Sequence, residues 1–351
     1  MITPRISVVM PVRNGARWLG DAIKSVQDQT FREFELIVID DGSDDESPRI
    51  IDERFRSDPR IIAIRQDRLG LVTALNSGLV ASRGQFIARL DADDLAKPQR
   101  LERQNEYLEN HPEIGLLGSW AEKINEQGLI VGTLRPPAES RELSSLLART
   151  NPFLHSSIMM RKAILEAAGA YRTAFDGAED YDLWMRMSEI AGMANLPEHL
   201  LQYRVHPDSV THTHRVRQLF SARLARQAAE ARRNSGRDPT SALTAPPNWH
   251  AREFADASTF SDIAKLFQFL DLADARNMAS VTMSDVDIST LNDRNLALNH
   301  AERRMAQHAL LNLLKNNQAA QIPRRDLLWH FFQLHPLRAI ELGYRVLRGT
   351  N

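Results

Sequence analysis

Cysteine is missing altogether from this sequence, and with it go disulfides, thiolate zinc sites and any cysteine nucleophile. That absence fits a reducing compartment. No apolar run approaches the roughly 18 residues that a membrane-spanning helix needs. The N-terminal run Ile6–Val12 is too short for the apolar segment of a secretion signal, and it leads straight into Arg13 and Asn14. We therefore expect a cytoplasmic protein. Also missing is a glycine-rich, phosphate-cradling loop after the first predicted strand, where Arg13-Asn14-Gly15 stands instead. This counts against dehydrogenases and P-loop kinases, and a nucleotidyltransferase would normally carry such a loop as well. Internal repeats are absent too.

What is present looks like a soluble globular protein. Of 351 residues, 43% are hydrophobic and 25% charged, enough for one large domain or two ordinary ones. The net charge of -1 conceals a split. Residues 1–210 hold 25 Lys+Arg against 32 Asp+Glu, a net of -7, while the remainder holds 19 against 13, a net of +6. Two regions with different partners, or two solvated surfaces of opposite sign, would each produce it.

The first hundred residues alternate between β-branched runs and helical stretches. Ile6–Val12, Glu35–Ile39, Arg60–Ile64 and Phe86–Leu90 read as strands, and Ala16–Gln27, Ser47–Phe55 and Leu71–Ala81 as helices. The first helix carries an apolar stripe of Leu19, Ala22, Ile23 and Val26. Such alternation implies βαβ units and a parallel sheet covered on both faces. Further on, we expect a helix over Arg100–Glu109, a strand over Ile114–Trp120 and a hairpin turning at Gln127-Gly128. Strands over Ser157–Met160 and His199–Val205 flank a helix over Tyr181–Ile190, whose buried stripe would be Leu183, Trp184, Met187 and Ile190. From about residue 213 the chain reads as helical, interrupted at the Pro/Ser/Thr-rich linker candidate Gly236–Asn248.

Open α/β sheets bind ligands outside the carboxyl ends of their strands. Here four predicted strands end in polar groups: Pro11-Val12-Arg13-Asn14, Asp40-Asp41-Gly42-Ser43, Asp67-Arg68-Leu69-Gly70 and Asp91-Ala92-Asp93-Asp94. Asp41 or Ser43 alone would serve equally well in a turn or a helix cap. All four at one edge point to a site for a nucleotide and its phosphates. The last group is the sharpest. Three carboxylates within four residues repel one another, and a cation is the natural way to keep them ionised together. Oxygen ligands suit Mg²⁺ or Mn²⁺. A cap for the helix near Pro98 accounts for one of these aspartates, not three.

These segments, with Ser7-Val8-Val9-Met10 ahead of Pro11, Ala74-Leu75-Asn76-Ser77-Gly78, and Ala88-Arg89-Leu90 ahead of Asp91, resemble the family 2 glycosyltransferases, inverting enzymes of the GT-A fold. The resemblance covers about residues 4–210. It implies an α/β GT-A domain over 1–210, a mostly parallel nucleotide-binding sheet flanked by helices, followed by a mainly helical region over 211–351. It implies a nucleotide-diphosphate sugar as donor, a UDP-sugar first among them, and a glycan or lipid-linked acceptor. Asp41 would read the nucleobase, Asp91 the ribose or sugar, and Asp93 would hold the metal against the pyrophosphate. Pro11, Asn14, Arg68 and Ala92 would line the donor. Many relatives carry an aromatic residue where Arg13 stands, and an arginine there can stack on a base or touch a phosphate.

Inverting transfer requires a base for the acceptor hydroxyl. Glu179-Asp180-Tyr181-Asp182 supplies carboxylates at the start of a predicted helix, whose N-terminal end favours the ionised form. Capping by Asp180 or Asp182 explains the same spacing. By the resemblance, Asp180 is the base and Glu179 a neighbour that binds acceptor or sugar. The resemblance also implies His155 near the donor or acceptor sugar and His206 as a ligand of the metal or diphosphate. A non-catalytic sugar-binding protein and a nucleotidyltransferase are the alternatives.

Residues 211–250 carry seven Arg against Glu230 and Asp238. We read these arginines as lacking the interleaved aromatics that nucleic-acid stacking uses, and as a helix face that pairs with acidic residues of the N-terminal domain. The stretch Trp329-His330-Phe331-Phe332 through Leu347-Arg348, with Arg338 and Arg345, suits either packing on its own domain or peripheral contact with the inner face of a membrane.

Overall fold

In the computed structural model, residues 4–206, 215–251, 260–271 and 298–315 are described. The C-terminal stretch with its proposed membrane contact lies outside them. The described chain opens as expected: β1 (Ile6–Val12), α1 (Ala16–Gln27), β2 (Phe34–Asp41), α2 (Ser47–Ser57), β3 (Ile61–Gln66), α3 (Leu71–Ala81) and β4 (Phe86–Arg89). β1 and β2 are buried along their whole length, as continuous apolar runs between two layers must be. α1 turns Leu19, Ala22, Ile23 and Val26 inward. Each large apolar side chain so buried contributes roughly 1.5–3 kcal/mol.

There follow β5 (Leu95–Ala96), α4 (Arg100–Asn110), β6 (Ile114–Ile124), β7 (Ile130–Leu134), α5 (Ser140–Leu147), β8 (Met159–Arg161), α6 (Lys162–Ala168), α7 (Glu179–Ser188) and β9 (Gly192–Arg204). β6 and β7 form the expected hairpin. The strand expected over Ser157–Met160 starts later, because His155–Ser157 closes a 3₁₀ turn first. In α7 the stripe ends at Met187, and Ile190, past the helix end, is 49% exposed rather than buried.

The strands form one sheet in the order β3-β2-β1-β4-β8-β6-β9-β5, with β7 on β6. Parallel pairing holds for β3-β2-β1-β4 and returns at β6-β9, while β8 is antiparallel to both of its neighbours. The sheet is therefore mixed rather than parallel throughout. β1 is the switch point: the chain moves outward to β2 and β3, then crosses back by α3 to β4 on the other side. Open α/β sheets bind ligands at such a switch point, and here Asn14 follows the carboxyl end of β1 and Asp91 that of β4.

The chain divides into two compact units. One comprises Met1–His214 with Ala225–Thr240, the other Arg215–Leu224 with Ser241–Asn351. Three further helices are α8 (Arg215–Ser235), α9 (Ser261–Leu270) and α10 (His300–Lys315). In the first unit Arg232 of α8 pairs with Glu189 at 2.8 Å, the kind of contact expected of the basic segment. Phe220 does stand between the arginines of α8. It is wholly buried in the second unit, 4.7 Å from Trp249 and 5.2 Å from Phe267 between ring centres, so it is no stacking platform. No helix of the described residues is long and apolar enough to cross a membrane.

Candidate active site

The loops after β1 and β2 lock together. Asn14 takes the left-handed conformation (φ 53°), which asparagine tolerates. Its N–H donates to Ser43 Oγ at 2.9 Å, and its Oδ1 accepts the Asp44 N–H at 2.9 Å. The next two amides, of Gly15 and Ala16, donate to Ser47 Oγ and Asp45 Oδ2. The amides that open α1 are thus filled by side chains of the β2–α2 loop. In a dinucleotide- or P-loop fold those amides would face phosphate, and here they cannot.

Asp41, 5% exposed, accepts the Leu69 and Gly70 N–H groups at 2.8 and 3.0 Å and Gln66 Nε2 at 2.7 Å. It closes the β3–α3 loop. Gly42 (φ 68°) lies so close to that loop that a Cβ would fall 2.9 Å from the Arg68 nitrogen. Arg13 and Arg68 are exposed, whereas Pro11 is buried in β1.

At the end of β4 the acidic residues separate into distinct states. Asp91 pairs with Arg89, itself 4% exposed, and its N–H donates to Ser156 Oγ at 2.9 Å. Asp93 lies 2.9 Å from His206 Nε2. Asp94 is buried and accepts the Arg204 N–H at 2.7 Å through Oδ1, while Oδ2 has no partner. Burial, then the charges of Asp91 and Asp93, pushes the Asp94 carboxyl well above its ordinary range. Burial also raises Asp91, against the pull of Arg89.

One oxygen from each of Asp91, Asp93 and Asp94 lies within 4.8 Å of the others, and among the described residues this is the group suited to a metal ion. The fit to a hard divalent cation is good. The donors are carboxylate oxygens, and Asp94 Oδ2 and His206 Nδ1 are buried polar atoms without a partner. Ala92 sits within the same turn. Trp18 backs the cluster, its ring 4.6 Å from that of His206 and 5.3 Å from the Arg204 guanidinium. Arg204 Nε donates to the Asp93 carbonyl at 2.8 Å and fixes the turn.

α7 brings up the other wall. Glu179 is 6% exposed and accepts the Gly177 N–H at 2.9 Å. Burial, reinforced by Asp180, pushes its carboxyl up to about 8, so it is protonated at neutral pH. Asp180 is half-buried, accepting Asn151 Nδ2 at 2.7 Å and the Tyr181 N–H at 2.6 Å. Burial raises it as well, though these hydrogen bonds and Arg89 oppose the rise. The helix end was expected to favour the ionised form of both, but burial outweighs it. Neither Asp180 nor Asp182 caps α7: Ala178 is the cap residue and no side chain serves it. Asp182 is fully buried, held by Arg172 and Arg186, and plays a structural part. His155 shares a 2.9 Å hydrogen bond with the Tyr171 hydroxyl, and burial, with Arg89 nearby, keeps its ring neutral.

Sequence reasoning missed Arg89 as a site residue. Its charge acts on Asp91, Asp180, Glu179, His155 and Tyr171 alike. The signal was available: one cation in an otherwise apolar strand, two residues before Asp91 and so on the same face. Tyr171, Asn151, Ser156 and Arg204 gave no local sign, since their partners lie far off in sequence.

The family model described as Glycosyl transferase family 2 matches residues 7–169. A relative from Methanocaldococcus jannaschii, the uncharacterized glycosyltransferase MJ1057, is 35% identical over 210 residues, 58% of this chain and 72% of its own. The O-antigen biosynthesis glycosyltransferase WbnJ of Escherichia coli is 32% identical over 212 residues, 59% of this chain and 82% of its own. Among solved structures, S. aureus TarS 1-349 in complex with UDP-GlcNAc superposes with a TM-score of 0.58 at 16% identity, covering 97% of this chain and 92% of that one. The mannosyltransferase PcManGT from Pyrobaculum calidifontis, in complex with GDP-Man and Mn2+, gives 0.53 at 19%, covering 90% and 87%. The two structures establish the GT-A fold. The sequence relatives go further, and on their account the chain belongs to glycosyl transferase family 2.

Proposed function

We propose that this protein transfers a glycosyl group from a nucleotide-diphosphate sugar, a UDP-sugar first among the candidates, to a hydroxyl of a glycan or lipid-linked acceptor, with inversion. The carrying observation is the placement of the Asp91-Asp93-Asp94 cluster at the switch point of the sheet, within electrostatic reach of Asp180. Residues 1–210 are the catalytic domain in this reading. Residues 211–351 form an accessory region that can hold the enzyme at the inner face of a membrane.

Asp41 and the β3–α3 loop, with Arg13, Asn14 and Arg68, receive the nucleoside, and Asp91 its ribose or the sugar. Asp93 and His206 would hold Mg²⁺ or Mn²⁺. When bound, that ion neutralises charge developing on the departing diphosphate. Asp180 takes the acceptor proton as the acceptor oxygen bonds to the anomeric carbon. On the opposite face the bond from that carbon to the diphosphate oxygen breaks, and the nucleoside diphosphate leaves with the electron pair. Glu179, neutral at physiological pH, donates a hydrogen bond to sugar or acceptor and is unsuited to act as the base. Support for polysaccharide assembly comes from the name of the WbnJ relative, and support for a nucleotide-sugar donor from the ligands of TarS and PcManGT.

The test is a panel of UDP-, GDP- and dTDP-sugars with Mg²⁺ or Mn²⁺, followed by binding and by hydrolysis. Metal-dependent binding and turnover of at least one donor is the expected result. Binding without turnover by any donor or acceptor would favour a carbohydrate-binding protein instead.

A further inference from the structure

The segment Asn76-Ser77-Gly78 on α3 has no part in the reaction as described, yet its three residues do three separate things. A Cβ on Gly78 would fall 2.5 Å from Val9 Cγ1 and 2.8 Å from Ile39 Cδ1, so glycine lets α3 lie directly on β1 and β2. Ser77 Oγ donates to Gln66 Oε1 at 2.9 Å, and Gln66 Nε2 donates onward to Asp41. Asn76 turns away from that side. Its Nδ2 donates to the Tyr171 carbonyl at 2.9 Å, and its Oδ1 accepts the Tyr171 N–H at 3.1 Å. Successive helical residues point about 100° apart, which is how neighbours on one helix reach different partners.

The double bond to Tyr171 needs a donor and an acceptor side by side, and a planar amide has both. Tyr171, 4% exposed, places its hydroxyl 2.9 Å from His155, and the loop after it runs directly to Glu179 and Asp180. α3 itself begins at the Leu69 and Gly70 amides that Asp41 holds. One rigid helix therefore touches the proposed nucleobase side at one end and the proposed acceptor side through one asparagine.

We propose that Asn76 is a positioning residue: it sets Tyr171, and through it His155 and the loop bearing Asp180, at a fixed distance from the nucleotide held by Asp41. The inference rests on the transferase reading above. It makes α3 a mechanical link between the donor and acceptor halves of the site, with Ser77 serving the first half and Asn76 the second. A displacement of about 1 Å at the reacting atoms costs on the order of 100-fold in rate, so the link has kinetic weight even without touching substrate.

The experiment uses the full chain with UDP or GDP and Mn²⁺ for binding, and hydrolysis of UDP-GlcNAc or GDP-mannose for turnover. Asn76→Ala should lower kcat about 10–100-fold while Kd for the nucleotide changes less than about threefold. Ser77→Ala should show the reverse weighting, raising Kd about fivefold for one lost hydrogen bond and moving kcat less. Asn76→Asp keeps the shape but cannot donate to the Tyr171 carbonyl, and it should follow Asn76→Ala if the alanine variant proves unstable. Histidine-labelled NMR supplies a readout independent of turnover: the His155 signal should shift in both Asn76 variants while that of His206 stays in place. Equal losses of binding and turnover in the Asn76 variants, or wild-type turnover together with an unmoved His155 signal, would overturn the proposal. Failure of the wild-type chain to turn over any donor would instead overturn the transferase reading, and the His155 signal alone would then decide whether Asn76 positions Tyr171.

Discussion

Replacing Asp180 by asparagine separates catalysis from architecture more cleanly than any other change in this site. The carboxylate accepts one hydrogen bond from Asn151 and one from the Tyr181 N–H. An asparagine retains one acceptor oxygen and turns its NH₂ toward the other donor, at a cost near 1 kcal/mol. Against this, the substitution removes a negative charge that repels the Asp91 carboxylate. The two effects oppose each other, and the melting temperature should move by no more than a few degrees. What cannot be retained is the basic oxygen, of raised proton affinity, that takes the acceptor proton in the proposed transfer. General-base contributions of about 10²–10⁴-fold correspond to roughly 3–5 kcal/mol of barrier. Turnover at saturating donor should fall by that factor, with nucleotide affinity close to wild type. The wild-type rate should rise with pH through the elevated Asp180 ionisation, and the variant should lose that limb of the profile. Near-normal turnover in Asp180→Asn, with the limb intact, would refute the assignment.

Three further outcomes follow from the same geometry. Glu179 holds its proton up to about pH 8 in the fold against an ordinary 4.5, so the native state binds a proton that the unfolded chain releases. Its contribution is therefore complete below about pH 4.5 and is lost as pH rises through about 8, up to a ceiling of order 5 kcal/mol; Glu179→Gln should flatten that slope in urea unfolding with chelator present, and an unchanged slope would count against a buried neutral Glu179. Asp93→Ala should abolish most metal-dependent nucleotide binding with the fold intact, because its side chain is 34% exposed; wild-type affinity with wild-type chelator sensitivity would remove Asp93 from the metal site. Asp182→Asn leaves Arg172 and Arg186 facing a neutral amide in the interior and should cost about 3–5 kcal/mol of stability with transfer per folded molecule preserved; a loss of rate without loss of stability would mean that Asp182, not Asp180, faces the acceptor.

Much of the strand-end part of the candidate site was legible in the order of residues, because its information is local. The three strand–helix repeats and the fourth strand announce themselves by period, and the stripe Leu19, Ala22, Ile23 and Val26 is buried as its spacing requires. Polar residues that follow strands of a parallel sheet must gather at one edge, and Asn14, Asp41 and Asp91 do so. The acidic cluster advertised a cation by repulsion alone.

Tertiary structure decided the rest, because the deciding contacts join residues far apart in the chain. His206 meets Asp93 across 113 positions, and nothing local to either identifies the other. The reversal of β8 between β4 and β6 follows from which edges pair, a choice no strand makes alone. The contrast among Asp180, Asp182 and Glu179 is the clearest case. Three carboxylates within four residues at one helix end look alike in sequence, where the helix dipole favours ionising them all. Burial makes Glu179 neutral, two arginines claim Asp182, and Asp180 stays half-buried with a hydrogen bond from Asn151 of another loop. Protonation and orientation are set by surroundings, and in this chain those surroundings exist only once it has folded.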